Sequence, residues 1–316
     1  MSPSPVWGII YNPTAGRFSP RRLEQVCLAL ETAGITPRLY PTARAGHARE
    51  LAQNLAHGLA RPGSPATEPV ELVAAFGGDG TLNETANGLR GSPMPLAFLP
   101  GGTANVMAHE LGLPTSPVAA VERLARGENR PIYPGLLTPL EPKGPPHLFL
   151  LMAGFGLDGA AVARVSPGLK RISGKGAYVA SALGSLAGPL PRLCLEGWNQ
   201  APRNPVWVVA ARGGHYGGRW KIHPHAGLEQ PTLGFTAVTR RVFPFLAWNL
   251  GLGARRAAWG AGFGQGLSLT LTAEQPFHAQ LDGEAIPPAS GFRVALDSLP
   301  LWFRFPAPHP SGFLCP

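Results

Sequence analysis

Three short segments carry the residue types that could do chemistry. Asn12-Pro13 with Gly16 follows a strand-like run at 6–11, and Gly77-Gly78-Asp79-Gly80-Thr81-Leu82-Asn83-Glu84 follows the apolar, β-prone run 70–76. Pro100-Gly101-Gly102-Thr103-Ala104-Asn105 follows a third such run at 96–99. Glycines at a strand-to-helix turn leave backbone N–H groups unpaired and let an anion approach the main chain. Asp79 adds a carboxylate to such a turn, which suits a magnesium-bound phosphate better than a bare one. Thr103 and Asn105 can hydrogen-bond phosphate, ribose or base. Any one glycine turn is more often structural than functional, and Asn-Pro alone is an ordinary turn former. Three of them at one sheet edge point to a phosphate site.

Late in the chain, Leu281-Asp282-Gly283-Glu284 presents two carboxylates around a glycine. Taken alone it reads as a hairpin turn. Phosphoryl transfer also needs a carboxylate near the attacking hydroxyl, which is the second role open to it. His223-Pro224-His225 lacks a Cys or carboxylate partner at metal-ligand spacing and reads as a loop. Asp158 either orients a site or caps a helix over residues 159–165.

The elements that must position these groups alternate through the first 130 residues. Strand signals at 6–11, 37–41, 70–76 and 96–99 are separated by helical spacing at 20–33, 46–59, 81–88 and 117–126. Alternation of this kind predicts a parallel sheet with helices on both faces, and ligands then lie beyond the carboxyl ends of the strands. After a Pro-rich connection at 136–146, strand-like runs dominate: 147–152, 206–211, 234–239, 267–272, 278–281 and 293–296, with 301–305 as a last candidate. Two less regular stretches interrupt them, 173–187 and 243–259. These features predict a second, mostly antiparallel β domain.

The chain has 316 residues, enough for two domains with real cores. Its three cysteines, Cys27, Cys194 and Cys315, lie far apart, which fits a reduced, cytosolic protein. No basic stretch followed by an apolar run precedes residue 6, and no run of about 18 uncharged apolar residues qualifies as a spanning helix. Charge is localised. Residues 160–260 hold 13 Lys/Arg against 2 Asp/Glu, or +11, in a chain whose total is +9. Trp198, Trp207, Tyr216, Trp220, Phe243, Phe245, Trp248 and Trp259 are interleaved with that charge. Such a surface suits anionic lipid headgroups; the plainer reading is a solvated basic face with its aromatics in the core. A nucleic-acid partner would rest on charge alone and would leave the glycine turns unexplained.

Together, Asn12-Pro13, the octapeptide 77–84 and the segment 100–105 resemble the diacylglycerol kinase catalytic domain, in the branch of bacterial soluble lipid kinases that also resembles sphingosine and ceramide kinases. Thr42 followed by Gly46-His47-Ala48 is similar to the family's second nucleotide loop. Gly154-Phe155-Gly156-Leu157-Asp158, Tyr216-Gly217-Gly218 and Leu281-Asp282-Gly283-Glu284 are similar to later family motifs, in the same order.

The resemblance implies a Rossmann-like α/β N-terminal domain (1–135) and a mainly antiparallel β-sandwich (136–299), an NAD kinase/diacylglycerol kinase-like arrangement with the active site in the cleft between them. Residues 300–316 would return to the first domain. It further implies ATP near Gly77, Gly78, Gly80, Thr81, Gly102, Thr103 and Asn105, with Asn12 and Thr42 near the nucleoside. Asp79 and Glu84 would organise ATP-bound Mg²⁺. Asp282 matches the position of the general base toward a lipid hydroxyl, with Glu284 beside it. The implied protein is cytoplasmic and touches anionic membranes peripherally through 160–260.

Two departures stand out. Val106 replaces an Asp that many of these kinases carry. Near residue 230 the family's Asp-Gly after Pro-x-Ala, part of a structural metal site in some members, is missing from Pro224-His225-Ala226 and Glu229-Gln230-Pro231, and Arg212 stands where the family has Asn. An NAD kinase-like enzyme shares the Gly-Gly-Asp-Gly turn, but Asn83-Glu84 directly after it favours the lipid branch. A nucleotide- or lipid-binding regulator with weak turnover is the third reading, opposed by the retention of Asp79, Glu84, Asp282 and Glu284.

Overall fold

The computed structural model describes residues 4–16, 18–58, 69–164, 191–216, 220–239 and 261–308. All of 165–190 and of 243–259, with Gly217-Gly218 and Cys315, lie outside the described residues. The chain divides into two compact units, residues 1–132 with 299–316, and residues 133–298.

In chain order, the first unit contributes β1 (Val6–Tyr11), α1 (Pro20–Thr32), β2 (Thr36–Pro41), α2 (His47–Ala56), β3 (Leu72–Gly77), α3 (Asp79–Leu89), β4 (Leu96–Pro100), α4 (Val106–Glu110), α5 (Pro117–Ala125) and β5 (Glu128–Ile132). The second contributes β6 (Gly135–Glu141), β7 (His147–Phe149), β8 (Met152–Gly156), α6 (Leu157–Arg164), β9 (Cys194–Glu196), β10 (Trp207–Ala211), β11 (His215–Tyr216), β12 (Trp220–Lys221), β13 (Leu233–Val238), β14 (Ala261–Gly266), β15 (Ser268–Leu281) and β16 (Glu284–Leu296). The chain then returns to the first unit with β17 (Leu301–Phe305).

The first unit's sheet has the order β2-β1-β3-β4-β17-β5. It is parallel except for β5, which runs antiparallel to β17. β3 and β4 are buried along their whole length, which explains their unbroken apolar runs: helices cover both faces. α1 starts where the sequence dictates, with the Ser19 hydroxyl accepting the Arg22 N–H at 3.3 Å and Pro20 in the first turn. After β1 the chain first pairs β2 on one side, then crosses to place β3 on the other. The carboxyl ends of β1 and β3 therefore flank the point where strand order reverses, the usual place for a ligand in an open α/β sheet.

The second unit is a mostly antiparallel sheet, ordered β14-β13-β10-β8-β15-β16-β6-β7 with β9 on β15. Its core gathers Phe149, Phe155, Phe235, Phe277 and Phe292 with small and branched residues of the same strands. The strand-like run 147–152 is interrupted. β7 ends at Phe149 and β8 begins at Met152, because the amides of residues 150–152 turn toward the Asp282 carboxylate. No helix among the described residues is long and apolar enough to cross a membrane.

Candidate functional site

The two glycine turns of the first unit stand back to back. A Cβ added at Gly102 would lie 2.6 Å from the Gly78 Cα, so the second turn tolerates no side chain at that contact. The Gly101 N–H donates to the Gly77 carbonyl at 2.7 Å. Asn105 holds its own turn reciprocally. Its Oδ1 accepts the Gly102 N–H at 2.9 Å, and its Nδ2 donates to the Gly102 carbonyl at 3.0 Å. Asn105 is buried and left-handed (φ 47°), a conformation that Asn accepts more readily than most residues.

Asp79 ties the turns together. Its two carboxylate oxygens accept the N–H groups of Val106 and Met107, both at 3.1 Å, at the start of α4. Burial pushes the Asp79 carboxyl up from its ordinary range, and the Met107 and Val106 amides oppose that shift. Glu84, on α3, accepts the Ala48 N–H at 3.3 Å and so anchors the first turn of α2. Thr42, half-buried, donates its N–H to the Tyr11 carbonyl at 2.9 Å just beyond β2. Asn12 folds back on its own loop, its Oδ1 accepting from the Thr14 N–H at 2.9 Å and the Thr14 hydroxyl at 2.8 Å.

The turns suit a polyphosphate. α3 opens at Gly78 without a side-chain cap, and a helix N-terminus of that kind favours an anion. A Cβ at Gly80 would meet nothing within 4 Å, and Gly80 and Thr103 are exposed. No group of three or more His, Cys, Asp or Glu able to hold a metal ion occurs among the described residues. Magnesium fits this site as a companion of a nucleotide's phosphates, with one or two carboxylates at most from the protein.

In the second unit, Asp282-Gly283 closes the β15–β16 hairpin opposite Leu281 and Glu284, with positive φ at both residues (48° and 89°). It is a tight hairpin turn, and it also has a built-in anchor. The Asp282 carboxylate accepts three main-chain N–H groups: Leu150 at 2.8 Å, Leu151 at 2.9 Å and Met152 at 2.9 Å. Glu284 is exposed.

Beneath the turn lies a network that neither the spacing nor the residue types announced. Gly283 donates its N–H to the Gln280 Oε1 at 2.7 Å. Gln280 Nε2 donates to Asp158 Oδ2 at 2.8 Å, and the Tyr216 hydroxyl donates to Asp158 Oδ1 at 2.5 Å. Asp158 thus bridges β11 and β15 rather than capping α6, in whose first turn it lies. Burial pushes its carboxyl up, while the Tyr216 and Gln280 hydrogen bonds oppose the shift. The Trp207 Nε1 forms no hydrogen bond of acceptable distance and angle among the described residues. His223 is buried, its Nδ1 accepting the His225 N–H at 3.2 Å and its Nε2 unsatisfied among the described residues. Desolvation lowers its pKa to about 4.

The sequence model of the diacylglycerol kinase catalytic domain matches residues 6–136. A diacylglycerol kinase of Bacillus subtilis is 36% identical over 130 residues, 39% of each chain. One from Staphylococcus saprophyticus is 36% identical over 123 residues, 38% of this chain and 37% of its own. The matched stretch thus spans less than two-fifths of these relatives' own length. A crystal structure of a diacylglycerol kinase from Bacillus anthracis aligns over 96% of this chain and 98% of its own, with a TM-score of 0.70 and 18% identity, a likeness of fold. Over residues 6–136, the segment that carries both glycine turns, the chain is similar to the diacylglycerol kinase catalytic domain.

Proposed function

We propose that the protein is an ATP-dependent lipid kinase, transferring the γ-phosphoryl group of MgATP to a lipid hydroxyl of diacylglycerol type. The observation that carries the reading is the pair of abutting glycine turns, Gly77–Thr81 and Gly101–Asn105, locked by Asp79 at the carboxyl ends of β3 and β4. Main-chain amides there would cradle the phosphates, with Asn12 and Thr42 on the nucleoside side. Magnesium, arriving with ATP, would spread the phosphate charge. Glu84 and Asp79 would fix the helices around it. From the second unit, Asp282 would face the acceptor hydroxyl, with Glu284 next to it. Phosphoryl transfer asks mainly for position and charge stabilisation, so a rigid carboxylate suits the task better than a mobile one. Docking on anionic lipid through the basic stretch 160–260 belongs to the same proposal.

One observation favours a second reading, a nucleotide-binding regulator with weak turnover: the carboxylates of Asp79 and Asp282 are both engaged by main-chain amides. A single experiment separates the readings. The purified protein is incubated with labelled ATP, Mg²⁺ and vesicles of mixed phosphatidylglycerol and diacylglycerol, and in parallel with NAD. Label in a lipid supports the kinase. Label in NAD overturns the lipid assignment, and ATP binding without transfer supports the regulator.

A further inference from the structure

We infer that the Arg212 guanidinium is a built-in cation that positions Asp282 through the main chain of Leu151. Arg212 follows β10 and is 1% exposed, among the largest fully buried side chains. Its Nη1 donates to the Gln230 carbonyl at 2.8 Å and the Thr232 carbonyl at 2.9 Å, and its Nη2 donates to the Leu228 carbonyl. Three alternate carbonyls of one loop therefore converge on one point. Converging carbonyl dipoles repel one another, and a cation at their focus relieves that repulsion, as hard metal ions do in carbonyl-lined sites. A guanidinium brings the charge on a rigid, planar fork that cannot dissociate from the chain.

The backbone of the same residue then reaches toward the hairpin turn. The N–H groups of Arg212 and Gly213 both donate to the Leu151 carbonyl, at 2.8 and 2.9 Å. The Leu151 N–H in turn donates to Asp282 Oδ1 at 2.9 Å, between the Leu150 and Met152 N–H bonds to the same carboxylate. Residues 150 and 151 lie in the gap between β7 and β8, with Met152 opening β8. Where residues 150–152 sit decides where the Asp282 carboxylate sits, and Arg212 holds residue 151. Arg212 is thus a positioning residue; it acts through Leu151 and touches no reacting atom. The inference rests on the kinase reading for its functional consequence and on geometry alone for the linkage.

The test compares full-length wild type with Arg212→Ala and Arg212→Lys, with and without added methylguanidinium. Amide exchange at residues 150–152, ATP affinity by calorimetry, and kcat and KM for labelled transfer to lipid vesicles are measured. In Arg212→Ala we expect exchange at 150–152 at least tenfold faster. We expect ATP affinity and KM for ATP within twofold of wild type, and kcat lowered tenfold to hundredfold. Methylguanidinium restores part of both protection and kcat, and Arg212→Lys falls between. Wild-type protection at 150–152 in a folded Arg212→Ala overturns the inference. So does lost protection that neither methylguanidinium nor the Lys variant recovers, because that marks collapse of the loop rather than loss of a cation. Should Arg212→Ala fail to fold, Arg212→Lys against wild type carries the same comparison. If the wild type transfers no phosphate, the kinase reading fails and the exchange result alone decides the linkage.

Discussion

The carboxylate of Asp79 accepts the N–H of Met107 at 3.1 Å, and its other oxygen accepts Val106, so an acid in one glycine turn caps the short helix that leaves the other. Replacing it by Asn keeps the size and leaves only one acceptor for two donors. A buried amide left unpaired costs about 1–3 kcal/mol. Asp79→Asn is therefore expected to lose about that much stability in urea unfolding and at least tenfold in ATP affinity by calorimetry. Full ATP affinity in a destabilised Asp79→Asn would show that the coupling of the turns does not serve the nucleotide.

Two glycines near that junction should differ in stability while both affect ATP binding. Gly102→Ala pushes a methyl to 2.6 Å from the Gly78 Cα, so both stability and ATP binding are expected to fall. Gly80→Ala meets open space and sits in the first turn of α3, where Ala is the better helix former by up to about 1 kcal/mol. That variant should melt no lower than wild type and yet bind ATP at least tenfold more weakly, because its methyl occupies the approach to the amides. Unchanged ATP affinity would remove phosphate from this turn.

Asp282→Asn isolates the second carboxylate. Asn tolerates the left-handed conformation at φ 48°, so the hairpin is retained while the acceptor of three amides is weakened. Turnover is expected to drop more than a hundredfold with ATP affinity intact, since the glycine turns belong to the other unit. A variant that keeps wild-type turnover would exclude Asp282 from the reaction.

His223 gives a pH signature in stability. Its folded pKa is lowered to about 4 from 6.5, so the native state holds it neutral. A depressed folded pKa means that its contribution is complete above pH 6.5 and is lost as pH falls toward 4. Unfolding should take up as much as one extra proton in that window. His223→Leu should abolish that proton uptake, as read from denaturant midpoints across pH 4–7. An unchanged slope in the variant would assign the acid sensitivity elsewhere.

Local chemistry made the first unit readable. A strand buried on both faces must be a continuous apolar run, as 72–77 and 96–100 are, and a turn that brings two main chains together needs glycine at the close approach, as at Gly102. The second unit was readable as a series of strand-like runs, yet their partnerships were not. Gln280 looks like any polar strand residue until Asp158, more than a hundred positions away, is seen bonded to it. Residues 147–152 read as one strand because periodicity registers apolarity, whereas the break at 150–151 is imposed by the distant Asp282. Arg212 did leave a trace, a lone cation directly after the apolar run 206–211, but its three carbonyl partners belong to a loop with no motif of its own.

The return of β17 orders the birth of the protein. β5 pairs with β17, and β4 meets β17 along its outer edge, so residues 301–305 must leave the ribosome before that sheet can close. Throughout synthesis of the 166 residues from 133 to 298, the nascent first unit carries two unzipped edges. A nonsense codon between 133 and 300 therefore yields a chain whose first sheet keeps both edges open, a template for aggregation.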